Sequence, residues 1–168
     1  MDDTILIRQM LTDDVPYVAR FHHAAWMDAY RDLLPKEEVE KITLRHFQNS
    51  WKQILDDDER TNLIAIEKAM PVGYASYRPR KKQGRWELIG VYVDPSSMNK
   101  GCGSALFGAV VAAIKEKEAN KLIVWVMKKN QRAINFYEKQ GMHPSGKIRK
   151  SKQEGMTFEE VQYELLLD

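Results

Sequence analysis

The stretch that most limits what this chain can fold into covers residues 86–114. A β-branched, apolar run, Leu88-Ile89-Gly90-Val91-Tyr92-Val93, stops at Asp94-Pro95 and reads as a strand. Asn99-Lys100-Gly101-Cys102-Gly103-Ser104 follows and opens directly into the apolar residues 105–114, which read as a helix. Strand, glycine loop and helix in that order build an anion site. The two glycines let backbone approach a ligand closely, while the first helical turn presents unpaired N–H groups and the positive end of its dipole. A pyrophosphate suits such a turn. The loop lacks both the Gly-Lys-Ser/Thr ending of a nucleoside-triphosphate loop and the third glycine of the dinucleotide fingerprint.

A second unit of the same kind follows. Leu122-Ile123-Val124-Trp125-Val126 leads into Lys128-Lys129-Asn130-Gln131-Arg132-Ala133-Ile134-Asn135-Phe136-Tyr137-Glu138-Lys139-Gln140-Gly141. With Val93-Asp94-Pro95, the Gly-x-Gly loop and the Asn-x-x-Ala-x-x-Phe-Tyr-x-x-x-Gly segment, the chain resembles the GNAT superfamily of acetyl-coenzyme A-dependent N-acetyltransferases. The resemblance covers most of the chain in element order. It implies an α/β fold: a mixed, mostly antiparallel central sheet, helices on both faces, and a bulged strand that splays from its neighbour to admit the pantetheine arm. One departure is Met98, where the family usually has Gln or Arg three residues before the first loop glycine. A thioether cannot donate to a phosphate. Asn99, Lys100 and the backbone amides would then carry that role.

Composition sets the outer limits. A chain of 168 residues, 43% apolar, can bury one sizeable core, so one domain over residues 1–168 is expected. The net charge of +2, from 26 basic and 24 acidic residues, shows no basic block of the kind a nucleic-acid binder carries. A single cysteine, Cys102, excludes an internal disulfide, and His22, His23, His46 and His143 lack the spacing of a metal-ligand set. No charged-then-apolar leader opens the chain, and no apolar run approaches the ~20 residues of a membrane span. A cytoplasmic protein with neither metal, membrane nor nucleic-acid partner is expected. A homodimer stays open.

Taken in order, Ile5-Leu6-Ile7-Arg8 reads as a strand and residues 15–34 as a long amphipathic helix, ended by Leu34-Pro35. Residues 36–58 read as a second helical region, with Val39, Ile42, Leu44, Phe47, Trp51, Ile54 and Leu55 buried. Strands are expected over 62–67 and 72–78, joined by a turn at 68–71, and then over the segment carrying Trp86 and Glu87, where Gly90 marks a bulge. The helix after the loop places Leu106, Ala109, Val110, Ala113 and Ile114 on one face. Final strands are expected over 142–148 and 160–167, with a loop at 150–155.

Acetyl transfer from a thioester to an amine needs a neutral amine, and an alkylamine of pKa ~10 is mostly protonated at neutral pH. Glu87 matches the strand position where many superfamily members carry a general-base glutamate; an amine-binding carboxylate and an ordinary surface glutamate are the alternatives. Tyr137 matches the family's general acid, with a core aromatic as its alternative. Asn130 matches a cofactor-contacting asparagine and also suits a helix N-cap. The resemblance further implies that Val91 and Val93 offer backbone to the pantetheine amides, and that Met98, Asn99, Lys100, Gly101, Cys102, Gly103 and Ser104 form the phosphate loop. Packing is the expected role of Cys102 rather than nucleophilic catalysis.

The acceptor site, by resemblance, draws on Phe21, His22, Trp26, Tyr30, the loop at 78–85 and the loop at 150–155. Residues 25–35 look like a recurring stretch of a small bacterial branch that includes polyamine acetyltransferases. Trp26 and Tyr30 share a helical face and suit either an alkylammonium chain or the core. Glu37, Glu38 and Glu40 are compatible with a cationic acceptor and equally with any exposed helix. Three functions stay open: a small-molecule amine N-acetyltransferase using acetyl-coenzyme A, a protein N-terminal or lysine acetyltransferase, and a non-catalytic acyl-coenzyme A-binding module.

Overall fold

The structure, a computed structural model, describes residues 4–153 and 155–168. Strands β1 (Leu6–Gln9), β2 (Thr61–Glu67), β3 (Met70–Pro79), β4 (Arg85–Val93), β5 (Lys121–Met127), β6 (His143–Gln153) and β7 (Met156–Leu166) form a seven-stranded sheet in the order β1-β2-β3-β4-β5-β7-β6. Only β4 and β5 run parallel; every other neighbouring pair is antiparallel. The helices are α1 (Val15–Tyr30), α2 (Lys36–Glu40), α3 (Leu44–Leu55), α4 (Cys102–Lys115) and α5 (Gln131–Lys139). Leu106, Phe107, Val110 and Ile114 of α4 and Ile134 of α5 pack on one sheet face with Leu88, Leu122 and Val124. Val18, Phe21 and Trp26 of α1 and Phe47 and Trp51 of α3 pack on the other with Ile64 and Tyr74. Each such side chain contributes roughly 1.5–3 kcal/mol by leaving water. Helices on both faces of a mixed, mostly antiparallel sheet are what the family resemblance implied.

The helical boundaries differ from expectation at places with local causes. Asp14 fixes where α1 begins: its carboxylate binds Arg8 through a two-pronged contact at 2.7 and 2.9 Å and accepts the Leu11 N–H at 2.7 Å. Pro16 stands in the first turn, where its missing N–H costs nothing. The helix stops at Tyr30, not at residue 34, and turns carry the chain to Pro35. The expected second helix is two helices. Thr43 takes an extended conformation (φ −98°, ψ 162°), and its hydroxyl accepts the His46 N–H at 3.3 Å, capping α3 and ending the run from α2. That break turns Leu44 outward to 36% exposure, whereas Val39, Ile42, Phe47 and Trp51 are buried as expected. On α4, Phe107 is buried while Ala109 and Ala113 remain half-buried.

Two of the strand differences matter for the site. The β2–β3 turn is tighter than expected: Lys68 and Ala69 both have positive φ (49° and 64°), and Met70 and Pro71 already belong to β3. The expected loop at 150–155 is mostly strand, because Arg149, Lys150, Ser151 and Lys152 pair in register with Glu160, Glu159, Phe158 and Thr157. Of that loop, Gly155 remains a turn and Glu154 lies outside the described residues. Its charge-rich sequence hid the strand, since cross-strand pairs of opposite charge replace apolar alternation there.

Candidate functional site

The cofactor-side geometry begins at the bulge. Ser76 pairs with Gly90 and Tyr77 with Leu88, so Ile89 is an extra residue in β4. Parallel pairing with β5 runs from Arg85 to Leu88 and then ends, leaving residues 89–93 splayed from their neighbour. Beyond the bulge the Asp94 N–H donates to the Val72 carbonyl at 2.7 Å, so Asp94 and, by two-residue alternation, Tyr92 turn their backbone toward β3. Val91 and Val93 therefore direct theirs into the gap.

A cavity of about 650 Å³ occupies this gap. Its wall includes Val91 and Val93 from β4; Met98, Asn99, Gly101, Cys102, Gly103 and Ser104 from the loop and the start of α4; Asn130 from the cap of α5; and Tyr137 from α5. Gly101 has φ 85°, a left-handed conformation that other residues rarely adopt, and nothing lies within 4 Å of where its Cβ would stand. Gly103 is glycine for a different reason: a Cβ there would meet the Phe136 ring at 3.0 Å. Asn130 accepts the Ala133 N–H at 3.1 Å, so it caps α5 and faces the cavity together. At the far end of α5, Gln140 Nε2 donates to Ser104 Oγ at 3.0 Å and ties the two helices across the loop.

The Val91 backbone also meets the Tyr137 hydroxyl. Burial, with Tyr30 close by, pushes the Tyr137 phenol well above its usual range, so it keeps its proton at every ordinary pH. Tyr30 lines the cavity with its hydroxyl beside Tyr92 and the Asn130 side chain.

Several residues singled out by the sequence lie elsewhere. Lys100 is exposed and off the cavity wall; the cations that line the wall are Arg132 and Lys139. Glu87 is buried but does not line the cavity, and its Oε2 is held by Arg78 at 3.2 Å and Arg80 at 2.9 Å. Trp26 is 5% exposed and packs in the α1–α3 core, with its ring 5.1 Å from that of Tyr30. Phe21 is buried in the same core. His22 is half-buried beside that core: Trp51 Nε1 donates to its Nδ1 at 3.0 Å, so the neutral ring carries its proton on Nε2, 3.1 Å from the Tyr74 hydroxyl. Burial first, then Arg60, pulls its pKa down to about 3. Glu37, Glu38 and Glu40 do not line the cavity, and Glu38 and Glu40 pair with Lys41 and Lys36. Cys102 is a packing residue, its thiol pushed up to about 11 by burial and by Glu67.

Sequence reasoning missed Arg132, Lys139, Trp125 and Glu160 on the wall. In β7 the polar Glu160 and Gln162 are 3% and 5% exposed while Tyr163, on the opposite face, is buried as well. Burial on both faces of β7 is the property that alternation cannot reveal.

The acetyltransferase (GNAT) family model matches residues 21–142. The chain belongs to that family. Members transfer acetyl groups from acetyl-coenzyme A, and the fold and the cavity loop of this GNAT protein agree with that activity. It is 23% identical over 137 residues to the uncharacterized N-acetyltransferase YuaI of Bacillus subtilis, covering 80% of this chain and 78% of the relative. It is 26% identical over 146 residues to the probable N-acetyltransferase Rv2775 of Mycobacterium tuberculosis, covering 85% and 82%. Among solved structures it is similar to PaiA N-acetyltransferase of Thermoplasma acidophilum in complex with coenzyme A (TM-score 0.74, 18% identity, 98% and 99% coverage). It is also similar to ribosomal-protein-alanine N-acetyltransferase of Brucella melitensis (TM-score 0.72, 23% identity, 96% and 99% coverage). Among the described residues no helix is long and apolar enough to cross a membrane, and no group of three or more metal-ligand side chains occurs.

Proposed function

We propose that this chain is one acetyltransferase domain that moves the acetyl group of acetyl-coenzyme A onto the primary amine of a small cationic molecule, a polyamine or related alkylammonium, by direct attack. The observation that carries this reading is a convergence on one cavity wall: the gap-facing backbone of Val91, the Tyr137 hydroxyl and the glycine-lined start of α4. A cationic acceptor is favoured by the wall's Tyr30, Trp125 and Glu160, two aromatic faces and a carboxylate, and by the likeness of residues 25–35 to the polyamine branch. A cytoplasmic setting belongs to the same reading.

Acetyl-coenzyme A supplies an activated acetyl thioester. The amides from Asn99 to Ser104 at the N-terminus of α4 would donate to the pyrophosphate, and Lys139, with Arg132 that also pairs with Asp28, would add the positive charge that Met98 does not. Val91 and Val93 extend the sheet by pairing with the pantetheine amides, in the manner of an added strand. The Val91 N–H polarises the acetyl carbonyl, where negative charge develops. Tyr137 donates its phenolic proton to the departing sulfur.

Acetyl-coenzyme A and the purified protein, assayed by released thiol against polyamines, amino acids, aminoglycosides and short peptides, should give turnover on the alkylammonium compounds. Turnover confined to peptides would favour a protein acetyltransferase instead. Coenzyme A binding with no turnover on any acceptor would favour a binding module.

A further inference from the structure

We infer that Glu160 is the carboxylate that receives the acceptor's ammonium group and takes its proton. This rests on the amine-acetylating reading above. Glu160 lies on β7 in register with Met127 of β5 and Arg149 of β6, and it lines the same cavity as Tyr137 and Val91. It is 3% exposed, and the wall it lines also carries Trp125, Met127 and Tyr30. Keeping a carboxylate charged in such a place is costly unless a cation accompanies it. Arg149 provides one, its Nε donating to Oε1 at 2.9 Å while its guanidinium lies 4.2 Å from the Trp125 ring centroid. Arg149 itself is 41% exposed and does not line the cavity, whereas the carboxylate does. Burial raises the Tyr30 phenol, and the Glu160 charge adds to it; Tyr30 in turn acts on Tyr137. Glu160, Tyr30 and Tyr137 all line this one cavity. Glu87, the carboxylate that the resemblance singles out, is off that wall and tied to two guanidinium groups.

The proton count closes. Glu160 takes one proton from the ammonium, which frees the nitrogen lone pair. That pair forms the C–N bond at the acetyl carbon and displaces sulfur with the C–S electrons, and Tyr137 gives the sulfur its proton. The second proton shed by nitrogen restores Tyr137 through solvent, and Glu160 releases its own to water.

The test compares Glu160→Gln with Glu87→Gln on the best amine of the acceptor panel, with coenzyme A affinity measured by calorimetry. Glu160→Gln should lower kcat/KM by the ~10²–10⁴ typical of acid–base groups and leave coenzyme A affinity unchanged, while Glu87→Gln should cost less than about tenfold. An acceptor already neutral at the assay pH should restore most of the lost rate, which a merely structural role would not allow. If Glu160→Gln does not fold, Glu160→Asp carries the test: with an unchanged melting temperature, it should lose at least about tenfold because the carboxylate retreats by one methylene. A Glu160→Gln rate within threefold of wild type, or an equal loss on charged and neutral acceptors, would overturn the assignment alone. Failure of the wild-type protein to acetylate any amine would overturn the functional reading and this one with it.

Discussion

Tyr137 and His22 show how surroundings separate the side chain proposed as general acid from a structural one. Tyr137 is buried and borders the cavity, whereas the half-buried His22 is held between Trp51 and Tyr74. Because burial and Tyr30 raise the Tyr137 phenol, the alkaline limb of a pH–rate profile below about pH 10 will not report it. Tyr137→Phe should therefore depress kcat by a similar factor, ~10²–10⁴, at every pH and leave the limbs where they were. A pH-dependent loss would contradict this. His22 has a folded pKa near 3, below the ~6.5 of an unfolded histidine, so the unfolded chain binds the extra proton between those values. Its contribution to stability is whole above about pH 6.5 and declines as pH falls toward 3, by an amount on the order of a few kcal/mol. Urea unfolding across that range should show a shallower pH slope for His22→Gln, whose amide can still accept the Trp51 N–H but does not titrate. The sequence placed His22 at the acceptor site because its helix neighbours that site. Nothing in its local pattern could reveal that Trp51, 29 residues away, would claim its Nδ1.

At the level of elements, the legible parts were those with a local cause. Gly90 announced the bulge in β4, and the loop glycines announced the start of α4. The break between α2 and α3 was written in a single hydroxyl, Thr43, which an apolar periodicity spanning both helices overrode. Thr43→Ala should cost about 1 kcal/mol of stability in urea unfolding, the usual value of an N-cap, with the acetyl-transfer rate unchanged. A loss below a few tenths would mean that packing alone sets the start of α3. The β6–β7 hairpin was illegible for another reason: its cross-strand partners, Arg149 with Glu160 and Lys150 with Glu159, are charged, and a charged run has no apolar phase to read. The same blindness hid Glu160, which proves to be a buried wall residue.

For the whole molecule, the arrangement converts one parallel strand pair into a binding gap. A continuous β4–β5 ladder would satisfy Val91 and Val93 with protein backbone; ending it at Leu88 and Val124 turns their polar groups into the gap, where Val91 meets the Tyr137 hydroxyl. The two cores make this possible by holding α1 and α3 on one face and α4 and α5 on the other, so the sheet keeps its shape where its own hydrogen bonds stop. Family resemblance supplied the cofactor. The glycine loop and the bulge were the chain's own signals of the gap, Tyr137 came from the resemblance, and the cavity wall drawn from α1, β5 and β7 was the part that no local pattern could display. The most direct measurement of the central claim is amide hydrogen exchange with and without coenzyme A. The Val91 and Val93 amides should gain protection when coenzyme A binds, while the Tyr92 amide, already turned toward β3, should not change. Unaltered exchange at Val91 and Val93 in a protein saturated with coenzyme A would contradict it.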